Sequence, residues 1–143
     1  MQKFGMANVY EISPTLYSTG RPTLDVLEQM KAEGVGTIVN FCHPTESAFD
    51  EGAAVRELGM DYEELVVSGP EDVSAENAAR LRDILDRHAG GTIVMHCGSG
   101  NRVGALYAMK AFHCDGASSE DALAQGRCAG LLGLEAYVRG CCR

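Results

Sequence analysis

The pattern of apolar and polar residues along this chain alternates strand-like with helix-like segments. Val9 to Ile12 and Leu16 to Ser18 read as short strands around a turn at Ser13-Pro14. Arg21-Pro22-Thr23 then opens a helix that sets Leu24, Leu27 and Met30 on one face and stops at Gly34. Thr37 to Cys42 is a buried strand rich in β-branched residues, Ser47 to Leu58 a helix ending at Gly59, and Tyr62 to Val67 the next strand. Ser74 is a good N-cap for a helix carrying Ala78, Leu81, Ile84 and Leu85. Gly90-Gly91 breaks it, and Thr92 to His96 continues as an apolar strand. Val103 to Phe112 is apolar almost all round, which predicts a central, buried helix. Two more helices are expected from near Ser119 and Leu134.

Strand–helix–strand repetition predicts an α/β fold: one domain over 1–143, with a mostly parallel sheet of four to five strands flanked by helices. In such sheets ligands bind beyond the carboxyl ends of the strands. That rule brings Cys42-His43, Ser68 to Asp72 and Cys97 to Asn101 to one edge before any motif is considered.

Composition narrows the chemistry. Apolar residues make up 45% and charged residues 22%, as in an ordinary globular protein. The net charge of −8 argues against nucleic acid and anionic membranes as partners, although a few arginines and backbone amides can still gather a small anion. No apolar run approaches the roughly 20 residues that cross a bilayer, and residues 1–13 lack the plan of a secretory signal. A cytoplasmic protein is expected. Cysteines stand at 42, 97, 114, 128, 141 and 142 without C-x-x-C spacing, so free thiols are expected and neither a metal nor a cofactor. The last two are expected in a disordered C-terminal end.

The chemistry concentrates in Val94-Met95-His96-Cys97-Gly98-Ser99-Gly100-Asn101-Arg102-Val103-Gly104. A buried strand enters a loop of small residues, and the loop enters a helix. Gly98, Ser99, Gly100 and Asn101 let successive N–H groups turn inward to form an anion nest, and the helix N-terminus adds roughly half a positive charge. Arg102 offers a planar fork for two anion oxygens. A cysteine at the base of that nest is favoured as thiolate, the nucleophilic form. His96 cannot share Cys97's direction, because neighbouring strand residues face opposite ways. It is expected behind the loop, orienting it through backbone hydrogen bonds.

The stretch from His96 to Gly104, together with Leu16-Tyr17-Ser18-Thr19-Gly20-Arg21-Pro22-Thr23, Gly34 to Phe41, Glu46 and Glu57 to Tyr62, resembles the bacterial dual-specificity-phosphatase-like proteins. These are a branch of the cysteine phosphatase superfamily, also labelled beta-lactamase-hydrolase-like or sulfurtransferase. The resemblance spans roughly 9–132 and implies a metal-independent phosphatase that forms a cysteinyl-phosphate on Cys97. Arg102 and the loop amides would bind the phosphoryl group, and a phosphorylated small molecule or phosphoprotein would be the substrate. It also implies an acid on an upstream loop; Asp72 stands at the right strand end, with Glu71 next to it.

Two departures stand out. Cysteine phosphatases carry His-Cys-x5-Arg followed by Ser or Thr, whereas only four residues separate Cys97 from Arg102 and Val103 follows. Ser99 is the one nearby hydroxyl that could stand in. A Cys-x4-Arg loop is also similar to single-domain rhodaneses, which carry sulfur as a persulfide. Phosphatase is the preferred reading because that resemblance covers several segments. Sulfur transfer and a non-catalytic phosphate-binding module are the alternatives. Cys42, His43 and Glu46 line the same mouth in this reading, with Cys42 either a core cysteine or a partner for Cys97. Arg21 either reaches the substrate or caps a turn.

Overall fold

The computed structural model describes residues 3–143. Strands β1 (Val9–Ser13) and β2 (Leu16–Thr19) form an antiparallel hairpin, and β3 (Val35–Asn40), β4 (Asp61–Glu64) and β5 (Thr92–His96) follow in the chain. In space the order is β1-β2-β5-β3-β4, with every pairing but the hairpin parallel. The helices are α1 (Leu24–Ala32), α2 (Glu51–Glu57), α3 (Ala75–Arg87), α4 (Asn101–His113), α5 (Ser119–Cys128) and α6 (Glu135–Cys141). This is the expected mostly parallel α/β architecture of four to five strands, with five present. Among the described residues no helix is long and apolar enough to cross a membrane.

Strand alternation divides the core between the two faces of the sheet. Ile93 and Met95 of β5 join Leu81 of α3, Leu106 of α4 and Leu123 of α5 in one cluster. Val94 turns the other way, toward Leu27 and Met30 of α1, Val55 of α2, and Phe4. Val103 through Met109 are all buried, which accounts for the lack of a polar face on α4. Gly104 is the point of closest approach on that helix. A Cβ there would lie 2.6 Å from Leu131 Cα and 2.7 Å from the Gly126 carbonyl oxygen, so only glycine lets the end of α5 and the following turn cross α4.

Several boundaries differ from the sequence expectation, among them the end of β4, at Glu64 rather than Val67, and three of the differences have a local reason. β3 stops at Asn40 rather than Cys42, because the Asn40 side chain accepts the Cys42 N–H at 2.8 Å and turns the chain. The helix expected from Ser47 begins at Glu51. A short 3-10 turn over Pro44–Glu46, capped by His43, takes the earlier residues, and Asp50 supplies the N-cap. The C-terminal end is ordered rather than disordered: α6 runs through Cys141, and Cys142 is buried in the core.

Candidate active site

The carboxyl ends of β3, β4 and β5 do converge on one edge. The loop from Cys97 to Gly100 joins β5 to α4, and Gly100, with φ of 96°, makes the left-handed turn that starts the helix. That turn aims the Gly100 N–H back at Cys97, whose Sγ accepts it at 3.0 Å. The sulfur is thus seated at the N-terminus of a thirteen-residue helix, fully buried, with a backbone amide as its hydrogen-bond donor where the sequence left only Ser99 as a stand-in hydroxyl. Gly98 and Ser99 are exposed at the mouth.

Arg102, in the first turn of α4, folds back over this loop. Its Nη1 donates to Glu46 Oε2 at 3.0 Å and to the Val67 carbonyl at 3.1 Å, while Nη2 donates to Glu46 Oε1 at 2.9 Å. The Cys42 sulfur lies 3.7 Å from Nη2. Segments following β3 and β4 therefore hold one guanidinium that the segment after β5 supplies. Arg21 joins from the end of β2, with its Nη2 3.4 Å from Glu46 Oε1 and 3.9 Å from Cys42 Sγ. A Cβ on Gly98 would lie 3.3 Å from Arg102 Nη2 and 4.0 Å from Arg21 Nη2, so both cations face the loop and glycine keeps the space between open. The Arg102 hydrogen bond is the main reason that Glu46 titrates at about 2, well below an ordinary glutamate. Glu46 is therefore a permanent anion that fixes the arginine and a poor proton donor at neutral pH.

Behind the loop, His96 is fully buried and donates from Nε2 to Glu51 Oε2 at 2.6 Å, with Glu51 itself 3% exposed. The backbone partner expected for His96 is thus replaced by a carboxylate from α2. Sequence reasoning passed over Glu51. The available signal was a charged residue four positions before Val55, on the face that α2 buries.

Other candidates lie differently. The Asn101 side chain turns away from the loop, and its Oδ1 accepts the N–H groups of Leu132 at 2.9 Å and Leu134 at 3.3 Å, tying the α5–α6 connection to the start of α4. Asp72 belongs to a 3-10 turn over Pro70–Asp72; its Oδ2 accepts the Ser68 N–H at 2.9 Å and it borders a cavity of about 400 Å³ between β4 and α3. The Glu71 carboxylate folds back over Gly69. No described hydrogen bond links either acid to Cys97 or Arg102, although their loop starts just after Val67, whose carbonyl holds Arg102. His43 caps its own turn, with Nδ1 accepting the Thr45 N–H at 3.2 Å.

No protein-family model matches the chain. It is 29% identical over 140 residues to the dual specificity protein phosphatase TpbA of Pseudomonas aeruginosa, covering 93% of this chain and 62% of that protein's length. The crystal structure of P. aeruginosa TpbA superposes with a TM-score of 0.71 at 26% identity, covering 93% of this chain and 84% of that one. A DUF442 protein from Shewanella putrefaciens CN-32 gives 0.72 at 22% identity, with 95% and 91% covered. Tk-PTP in its active form gives 0.76 at 15% identity, with 94% and 95% covered. A Cys-to-Ser form of P. aeruginosa TpbA has been crystallised with phosphotyrosine.

Proposed function

From its homology to a dual-specificity phosphatase and its cysteine-phosphatase fold, we propose that the chain is a cysteine-dependent phosphatase that hydrolyses phosphoesters through a cysteinyl-phosphate on Cys97. One observation carries the reading. The Cys97 sulfur lies at the N-terminus of α4 under a backbone N–H, with the Arg102 guanidinium folded over the same loop.

In this mechanism the phosphoryl oxygens sit against the amides of Gly98, Ser99, Gly100 and Asn101 and beside Arg102, in the field of the helix N-terminus. Cys97 attacks phosphorus in line with the leaving oxygen. A carboxylic acid protonates that oxygen and then, as carboxylate, activates water against the cysteinyl-phosphate. Asp72 is proposed for this role, with Glu71 as the neighbour that could replace it. Glu46 is unsuited to it, because its pairing with Arg102 leaves no proton to give near neutral pH. A phosphotyrosine-type aryl ester is the proposed substrate class, by analogy with the ligand held by TpbA. The free cysteines suit a reducing compartment, and the cytoplasm is the proposed site of action.

The test is hydrolysis of an aryl phosphate by the purified protein in the presence of a metal chelator. Activity blocked by vanadate and abolished in Cys97→Ser supports the reading; activity retained in Cys97→Ser overturns it. The loop of four residues between Cys97 and Arg102 favours one second reading, sulfur transfer through a Cys97 persulfide. Thiocyanate formed from thiosulfate and cyanide would support that reading instead.

A further inference from the structure

The apolar face that the sequence assigns to α1 is buried at only two of its three positions. Leu27 and Met30 are fully buried, whereas Leu24, in the first turn, stands 50% exposed. Leu24 borders an open groove of about 550 Å³. Arg21 and Pro22, at the end of β2, line the same groove, and so does Phe49 from the loop before α2. Phe49 is half-buried because its inner side packs on the core cluster of α1 and α2. The groove is therefore apolar, and its Phe49 wall is held by the core behind it.

Arg21 ties this groove to the proposed active site. Its Nη2 lies 3.4 Å from Glu46 Oε1 and would lie 4.0 Å from a Cβ on Gly98, and the same residue lines the groove. On its other side, Leu24 joins Glu28, Ala54, Glu57 and Leu58 around an adjoining hollow. Glu28 follows Leu24 by one turn of α1, about 6 Å along the axis. Asp25, Glu28 and Glu57 are all exposed. Among the described residues none of these three acids has an ion-pair partner. The one cation of α1, Lys31, lies farther along, against Gly59. With distance from the Cys97 loop, the surface thus passes from cationic through apolar to uncompensated negative.

We propose that this surface is the subsite for the chain flanking the phosphorylated residue of a phosphoprotein, selecting an apolar side chain next to phosphotyrosine and a lysine or arginine about two residues beyond it. The inference rests on the phosphatase reading. Leu24 and Phe49 take the apolar side chain, and Glu28 and Glu57 take the cation. The spacing follows from reach, since the 6 Å or so between Leu24 and Glu28 is spanned by about two residues of extended chain. The same acids repel a substrate with Asp or Glu at that place, and the net charge of −8 acts in the same direction. A small phosphoester held in the Cys97 loop does not reach the groove, so the selection shows only on peptides.

The test compares kcat/KM of the wild-type protein on a set of phosphotyrosine peptides, with p-nitrophenyl phosphate as the ester that has no flanking chain. The peptides carry leucine or serine next to the phosphotyrosine and lysine, glutamine or glutamate farther out, built in both chain directions. In one direction leucine should exceed serine by at least roughly 10-fold, as expected for burying one apolar side chain. Lysine should exceed glutamate there, by a margin that shrinks in high salt. Leu24→Ser should bring the leucine-to-serine ratio toward one, and Glu28→Lys should turn the preference from lysine to glutamate. Equal rates on leucine and serine peptides in both directions, or ratios that neither variant changes, would overturn the subsite while leaving p-nitrophenyl phosphate hydrolysis intact. Failure to hydrolyse p-nitrophenyl phosphate and every peptide would overturn the phosphatase reading and the subsite with it. The wild-type series decides the matter if a variant does not fold.

Discussion

Arg102 sets both terminal nitrogens of its guanidinium on the two carboxylate oxygens of Glu46, at 3.0 and 2.9 Å. The residues are 56 apart in the chain and meet because the segments after β3 and β5 share one edge of the sheet. A fork-on-fork pair of this kind fixes the plane of the guanidinium as well as its position. In the proposed mechanism the substrate meets an arginine whose orientation is already set.

The pairing makes Glu46 a source of acid-sensitive stability. Its carboxyl titrates at about 2 in the folded protein against an ordinary 4.5, so between those values the unfolded chain binds the extra proton. The Glu46 contribution is complete above about pH 4.5 and is lost as pH falls toward 2. Melting curves of wild type and Glu46→Gln across this range should differ at pH 6 and converge near pH 2. A gap that stays constant with pH would mean that the pair adds nothing through ionisation.

Gly104→Ala tests the crossing of α4 by the turn after α5. Alanine favours a helix by about 1 kcal/mol over glycine, but here its methyl meets the backbone of Leu131 and the Gly126 carbonyl, which cannot rotate away. Overpacking against such a wall costs about 3 kcal/mol. The clash wins, and the melting temperature should fall by roughly 8 °C. An unchanged or higher value would show that the crossing is loose.

Asp72→Asn tests the assignment of the acid. Loss of general acid catalysis should lower kcat by roughly 100- to 10,000-fold for an alkyl phosphate and by much less for p-nitrophenyl phosphate, whose leaving group departs without a proton. Equal losses on both esters would assign Asp72 to holding the Ser68 turn alone, and Glu71→Gln would be the next variant.

Val103, fully buried after Arg102, brings no hydroxyl to the site. Breakdown of the cysteinyl-phosphate should then be slow relative to its formation. Rapid mixing with an aryl phosphate is expected to show a burst of phenol close to one per Cys97, and Val103→Thr should shrink it by speeding breakdown. A linear time course in the wild type would place the slow step before phosphoryl transfer.

Much of this was legible in the sequence. The short strand-like runs located all five strands, and β5 with its small-residue loop drew attention to Cys97 and Arg102. The opposite directions of His96 and Cys97 followed from strand alternation, and the sheet-edge rule brought Cys42, the loop after β4 and the Cys97 loop together. What stayed hidden depended on side chains meeting across long sequence distances. Glu51 looked like an ordinary acidic residue near a helix start, yet it is the buried partner of His96. Asn101 looked like part of the nest, but its side chain serves the Leu132–Leu134 turn. The end of β3 was misplaced because a single side-chain hydrogen bond, from the Cys42 N–H to Asn40, outweighs the apolar run through Phe41 and Cys42.

The central claim is that Cys97 accepts a phosphoryl group, and acid quenching of an aryl phosphate reaction followed by intact mass and peptide mapping tests it most directly. Wild-type protein should carry one phosphoryl group on the Cys97 peptide within the burst phase, and Cys97→Ser none. Sustained turnover without any phosphoryl adduct on Cys97, or a persulfide there after incubation with thiosulfate and no reaction with phosphoesters, would contradict it.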